Sequence, residues 1–401
     1  MQPNRPADKY SPLYFLASVG AGGLSVTFFM YIMFWVPKHG TPVPVFEDIL
    51  AAFTMGSLGM KLAIITAWAG IATFVFLNLK YLVWNLKAFS AFRKTEAFTK
   101  LKTTNAETTI LAMPLALAMS VNALFVAGIV FVPGLWSIVE YLFPFAMAAF
   151  LAIGILALMQ IGDFLGRVLT KGGVFDVTAH NSFAQMLPAF ALAMTAVGFS
   201  APAAMSTNTV VVGVALVGST FFGVASLTYA VLALFTAFNS MLHYGTSKET
   251  APTLLIVIPL MTILGIMAMR QNHGLHETFE VQAAAGETMI FLARLVAVQV
   301  LFGLLGLVML ARHDYWKSFV FGSETSPGSY ALVCPGVALS VLLQFFINSG
   351  LVEAGVLTKF SVAYWAVTAI ALAFQVAMIA LVVRLNKQHF GRTTVQAVPA
   401  E

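Results

Sequence analysis

Apolar residues in this chain fall in long unbroken runs separated by short polar segments, rather than in helical stripes or strand alternation. A helix of about 20 apolar residues spans the hydrocarbon core of a bilayer, so runs of this length predict transmembrane helices. Ten are expected, at 13–36, 60–86, 109–132, 138–166, 182–204, 208–240, 251–270, 286–311, 329–351 and 360–384. Several are longer than a crossing needs, which predicts tilt or extension beyond the membrane. The short apolar stretch 49–58 reads either as a surface segment or as a lengthening of the second span. The opening residues, MQPNRPADKYSP, are polar, and the run after them is too long for a signal-peptide core, so the first span is expected to be retained. The chain then divides into a cytoplasmic N-terminal segment (1–12), a ten-helix transmembrane domain (13–384) and a cytoplasmic tail (385–401).

Within the runs one residue type recurs against expectation. Proline in a helix interior removes a backbone donor and clashes with the preceding turn. Yet Pro114, Pro188, Pro259 and Pro335 stand in the third, fifth, seventh and ninth runs, 74, 71 and 76 residues apart. Each step is one pair of spans with its loops. A fixed period is an architectural signal. It predicts five helical hairpins in parallel orientation, because in an inverted repeat the prolines would alternate sides. The first run joins the series when SVGAGGLSVTFF is aligned with MPLALAMSVNALF, with Val19 at the proline position and Gly20, Gly22 and Gly23 loosening the backbone. Five helices kinked at one depth predict an inner ring around a central pore, with the even helices outside, since freed carbonyls are tolerated where they face protein or water. The positions before the prolines, Met113, Leu187, Ile258 and Cys334, with Val19, form the expected constriction, an apolar ring able to close a path by dewetting. Beyond the prolines stand small and hydroxyl residues that suit either close helix packing or a narrow polar path. Ser25, Ser120, Asn122, Thr195, Thr262, Ser340 and Gln344 are the polar pore-lining candidates, and Asn348 lies further along the ninth span.

Composition narrows the class. The 401 residues are 60% hydrophobic and 9% charged, against roughly 25% charged in a soluble domain. The net charge of +5 therefore reads as loop charge that orients a membrane protein, and no nucleic-acid partner is expected. With the N-terminus inside, the inner segments hold Arg5, Lys9, Lys80, Lys87, Arg93, Lys94, Lys100, Lys102, Arg167, Lys171, Lys248, Arg312, Lys317, Arg384, Lys387 and Arg392. The outer side holds Lys38, Lys61, Arg270 and Lys359. That asymmetry predicts cytoplasmic termini on both ends and a multi-pass protein of the cell membrane, the inner membrane if the cell has two. The basic segment 87–107 is expected to face the cytoplasmic leaflet, as a solvated loop or a contact for anionic lipid. A single cysteine excludes a disulfide framework and a thiolate metal site. No phosphate-cradling loop or catalytic motif is present, so neither an ATP-driven pump nor an enzyme is expected, and no cofactor.

Ten spans as five hairpins, cytoplasmic termini and prolines in the odd helices resemble the tellurite-resistance/dicarboxylate transporter family, which includes malate and sulfite transporters and the plant slow-anion channels. The best local match is YALVCPGVAL at 330–339, similar to the family's ninth helix. The resemblance implies a pore lined by the odd helices, conducting or transporting small inorganic or organic anions, commonly within a homotrimer. It also implies a phenylalanine before the ninth-helix proline that plugs the pore; here Cys334 holds that place, a departure from the aromatic gate. Phe345 and Phe346 lie too far down the helix to be its equivalents. The expected function is a channel or uniporter for small anions. The alternative is proton-coupled transport of a C4-dicarboxylate, sulfite or another oxyanion.

Charged residues at membrane depth are functional candidates by default. Arg294 is placed to draw anions toward the pore or to pair structurally. Asp163 and Arg167, four apart, are expected to pair on one helix face, at a cytoplasmic vestibule if functional. Glu353, just beyond the ninth span, is the candidate proton-binding group. His273, His276, Glu277 and Glu280 are expected in a solvated outer loop, too few fixed ligands for a metal site. Gly162 and Gly166 match the small-xxx-small pattern of helix packing.

Overall fold

A computed structural model describes residues 6–171, 175–179, 181–281 and 284–390. Among the described residues there is no strand, and ten helices are long and apolar enough to cross a membrane. In chain order they are Pro12–Trp35, Leu58–Phe92, Asn105–Phe131, Leu135–Lys171, Phe183–Met205, Thr209–Tyr244, Ala251–Phe279, Ala285–Arg312, Pro327–Val352 and Val362–Phe390, the first to tenth spans below. The chain is a multi-pass membrane protein.

The two classes of span separate by burial. Of the apolar window in each odd span, 61 to 100% is buried; in the even spans the figure is 17 to 39%. Helices so apolar yet so exposed offer their outer faces to lipid, whereas helices buried on all sides form the core. Packing follows. Each odd span packs against the even span after it, and spans one, three, five, seven and nine also touch in succession, with nine returning to one.

The prolines do not interrupt uniform α-helices. Each odd span opens with a 3₁₀ segment and then becomes α-helical: Pro12–Tyr14 before Phe15, Asn105–Leu111 before Ala112, Phe183–Met186 before Leu187, Ala251–Ile256 before Val257 and Pro327–Leu332 before Val333. Pro114, Pro188, Pro259 and Pro335 fall in the first three residues of the α segment. There a missing N–H costs little, because the first turn of an α-helix has no carbonyl of its own to reach. The repeated feature is thus a 3₁₀-to-α transition, and the first span has it without a proline at Val19.

Nor do the glycines of the first span loosen it: Phe15–Trp35 is continuous α-helix. They let neighbours approach. A Cβ on Gly20 would lie 2.8 Å from Val333 Cγ1, and one on Gly23 would lie 2.8 Å from Val337 Cγ1, so the first and ninth spans pack across these positions.

Other expectations shift at the ends. Residues 46–55 form a separate helix, Phe46–Met55, turned from the second span at Gly56 and Ser57. Much of the segment 87–107 is helical rather than loop: the second span runs to Phe92, Glu96–Leu101 is a short helix, and the third span begins at Asn105. The tenth span continues to Phe390, with Leu385 buried, so residues 385–390 belong to the helix; 391–401 lie outside the described residues, as do 1–5. Residues 7–9 form a 3₁₀ turn, and the Tyr10 hydroxyl donates to Asn85 Oδ1 at 2.8 Å, anchoring this segment to the second span.

Candidate functional site

The odd spans line a half-open cavity of about 170 Å³. All five contribute walls, and the fourth span adds Phe143, Ala146 and Phe150. Along the first span it runs from Val19 to Met33, about 21 Å by helical rise. It begins at the level of Pro259 and Cys334 and ends near the C-terminal ends of the odd spans, beside Met33, Met205 and Arg270. A second void of about 10 Å³ lies toward their N-terminal ends, among Leu16, Leu187, Thr253 and Ala331. Three residues border both spaces: Phe190, Pro259 and Cys334. Phe190 is 3% exposed and two residues past Pro188, so the first turn of the α segment aims its ring into this partition.

Of the expected constriction, Val19 and Cys334 line the large cavity and Leu187 the small one. Met113 and Ile258 line neither. Ile258 instead offers its carbonyl to the Gln299 side chain of the eighth span at 2.8 Å.

The polar candidates divide likewise. Asn122 and Thr262 line the cavity; Ser25, Ser120, Thr195, Ser340 and Gln344 do not. Ser25, Ser120 and Thr195 turn back on their own helices, donating to the carbonyls of Gly22, Ala116 and Ala191, an outlet always in reach for a hydroxyl in apolar surroundings. Gln344 accepts from Asn348, whose amide oxygen in turn accepts from Tyr364 at 2.9 Å. Thr262 donates to the Ala338 carbonyl of the ninth span at 3.0 Å and accepts from Gln299 at 2.6 Å. The Asn122 amide donates to Ala118 at 3.0 Å.

The charged candidates lie away from the cavity. Arg294 is exposed on the outer face of the eighth span. Arg167 pairs with buried Glu107 of the third span instead of with Asp163, which is exposed. Glu107 is the better partner because it is 4% exposed, and a buried carboxylate without a counter-charge is far costlier than an exposed one. Lys102 approaches the same carboxylate at 3.9 Å. Glu353 is exposed beyond the end of the ninth span, and burial of part of its carboxyl pushes its pKa up while Lys38 opposes this. His273, His276 and Glu277 are not in a loop: the seventh span carries them as helix to Phe279. Among the described residues no three potential ligands meet to hold a metal.

The charge that does face the cavity is Arg270, counted at sequence level only as an outer-side charge. It is half-buried, and its Nη1 donates to the Val197 carbonyl of the fifth span at 2.9 Å. Among the described residues no carboxylate lies within ion-pair distance of it, and no other charged side chain lines the cavity. Its signal in the sequence was position: it falls within the continued helix, one turn before Gly274, where a Cβ would stand 2.3 Å from the Ala203 carbonyl. That close crossing of the fifth and seventh spans turns the Arg270 face inward.

Sequence reasoning also missed the polar residues of the even spans. Asn78, Ser226 and Gln299 are wholly buried. They donate to the carbonyls of Ser18, Ala189 and Ile258, each at or next to the 3₁₀-to-α region of the preceding odd span. No protein-family model and no curated protein matches this chain.

Proposed function

We propose that this protein passes small anions across a membrane through a path enclosed by its odd-numbered spans, as a channel or uniporter. In this reading the chain is five parallel hairpins around a central pore, a distant member of the tellurite-resistance/dicarboxylate transporter family, with both termini cytoplasmic and copies assembled as a homotrimer. The observation that carries it is one cavity walled by all five odd spans, whose charged lining residue is an arginine with no carboxylate in ion-pair distance among the described residues. A cation in low-dielectric surroundings attracts anions and repels cations. Apart from Asn122 and Thr262 the remaining walls are apolar, which suits weak binding and release. The path is shut at Phe190, Pro259 and Cys334, so the aromatic plug comes from the fifth span rather than from the position before the ninth-span proline.

The test is flux in liposomes containing the purified protein. Anions are expected to move down their own electrochemical gradient, with cations excluded. Flux that requires an imposed pH gradient would replace the uniporter with the proton-coupled transporter. Cation-selective currents would end the reading.

A further inference from the structure

The chemistry of the cavity restricts which anion it can hold, and this restriction rests on the reading just given. Its walls are hydrocarbon over nearly their whole area: Val26, Phe29, Met30, Val197, Ile266 and Val341 face it from four spans. Its hydrogen-bonding capacity is small and largely spent. The Thr262 hydroxyl is committed to the Ala338 carbonyl, and one of the two Asn122 amide N–H groups to Ala118. Arg270 is different. A guanidinium carries five N–H donors in a planar fork, and among the described residues Arg270 makes one hydrogen bond, to Val197.

An anion with one carboxylate would meet that fork in the two-point geometry guanidinium favours. An apolar body behind the carboxylate would lie along the valine, isoleucine and phenylalanine walls. A second carboxylate would find no second cation among the lining residues and would have to shed its water against them, at high cost. Sulfate or phosphate would need donors on every side, and this cavity supplies them from Arg270 and from one remaining N–H of Asn122. Size points the same way: a dry engineered cavity of about 150 Å³ holds a benzene ring, and this one measures about 170 Å³.

We infer that the cavity is a binding site for a monocarboxylate with an apolar body of about the size of a benzene ring, held by Arg270 at its carboxylate and by the Val197, Ile266 and Val341 walls along its body. Dicarboxylates and inorganic oxyanions are poor ligands of the same site.

The experiment is equilibrium binding of radiolabelled benzoate to the full chain in lipid nanodiscs, with succinate and sulfate as competitors at matched ionic strength. Benzoate is expected to bind saturably, and each competitor to be weaker by about tenfold or more, a difference of one decade in Kd. Arg270→Gln should abolish binding and Arg270→Lys should keep part of it, since the charge remains and the fork is lost. Should Arg270→Gln fail to fold, Ile266→Ser tests the site from the other end: it should weaken benzoate while leaving sulfate unchanged. Succinate or sulfate binding as tightly as benzoate overturns the inference, as does benzoate binding that survives Arg270→Gln in folded protein. Failure here is separable from failure of the pore. Liposomes that pass chloride or nitrate without any benzoate site would leave the pore and remove this site. Benzoate bound at Arg270 with no anion crossing would leave the site and remove the pore.

Discussion

At the scale of single residues, the partition between the two cavities is the place where a small change has the largest expected effect. Phe190 fills it with a ring, whereas Pro259 contributes a fixed side chain and Cys334 a small one. Phe190→Ala removes the largest obstacle without touching a hydrogen bond, and flux in liposomes should rise about tenfold or more, because each 1.4 kcal/mol taken from a barrier is a decade in rate. Met113→Ala, outside both cavities, should leave flux unchanged. Equal flux in wild type and Phe190→Ala would remove the ring from the gating role. The contrast shows what the sequence could and could not reveal about the site. Three of the positions that the proline period picked out, Val19, Leu187 and Cys334, lie on one cavity or the other. Which side chains point inward at that level was not legible, because the 3₁₀ turn before each proline rotates the helix by an amount no α-helical count contains. At the partition Phe190 and Pro259 therefore stand in for Leu187 and Ile258 on their own spans, and the third span, where Met113 was expected, contributes no residue to it. Hydroxyl residues misled for another reason: in hydrocarbon a serine or threonine bonds its own helix as readily as it lines water.

Helices, taken as elements, were the most readable feature, since ten apolar runs became ten spans with ends displaced mostly outward. Two kinds of glycine looked alike in the sequence and separate in space. Gly274 sits where the seventh span crosses the fifth, and a Cβ there would meet the Ala203 carbonyl at 2.3 Å, a backbone atom that cannot swing aside. Gly162 and Gly166 are exposed on the fourth span, with nothing within 4 Å of a Cβ at either. The small-xxx-small pattern thus meets no contact among the described residues, while an unpatterned glycine closes the core. Gly274→Val should destabilise the protein by about 1–3 kcal/mol, the usual penalty for overpacking, read as a lower thermal unfolding midpoint in detergent. Gly162→Val should leave the midpoint of the monomer where it was. A wild-type midpoint for Gly274→Val would mean that the two spans do not cross here. The buried polar groups of the even spans belong to this scale as well. Asn78, Ser226 and Gln299 each reach one carbonyl near the transition of the preceding odd helix, so the pairing of consecutive spans is specified by hydrogen bonds that hydropathy cannot register.

For the molecule as a whole, the rim where the odd spans end carries few charges, and their balance there depends on pH. Lys38 is exposed and acts electrostatically on Glu353 across the ends of the first and ninth spans. Partial burial is the larger influence on Glu353 and raises its pKa; Lys38 works against it. The sign follows. Below the ordinary glutamate range the carboxyl is neutral in folded and unfolded chain alike. As pH rises above that range the folded protein keeps the proton longer, and only past the raised value does the rim gain a negative charge. From this end, anions bound for Arg270 then meet one more like charge, so anion entry should fall across that interval and level off above it. Glu353→Gln should hold the low-pH rate throughout. Glu353 follows the π-helical turn Phe346–Val352, eight residues beyond Phe345, the last ninth-span residue on the cavity. The screening length is about 8 Å at physiological salt and about 30 Å at 10 mM, so its field reaches further into the entry in dilute buffer. The pH limb should therefore be steep in dilute buffer and shallow in 150 mM salt, in liposomes whose exposed face is this rim. A wild-type rate independent of pH in dilute buffer, or a Glu353→Gln variant that keeps the decline, would place the rim carboxylate outside the field that governs entry.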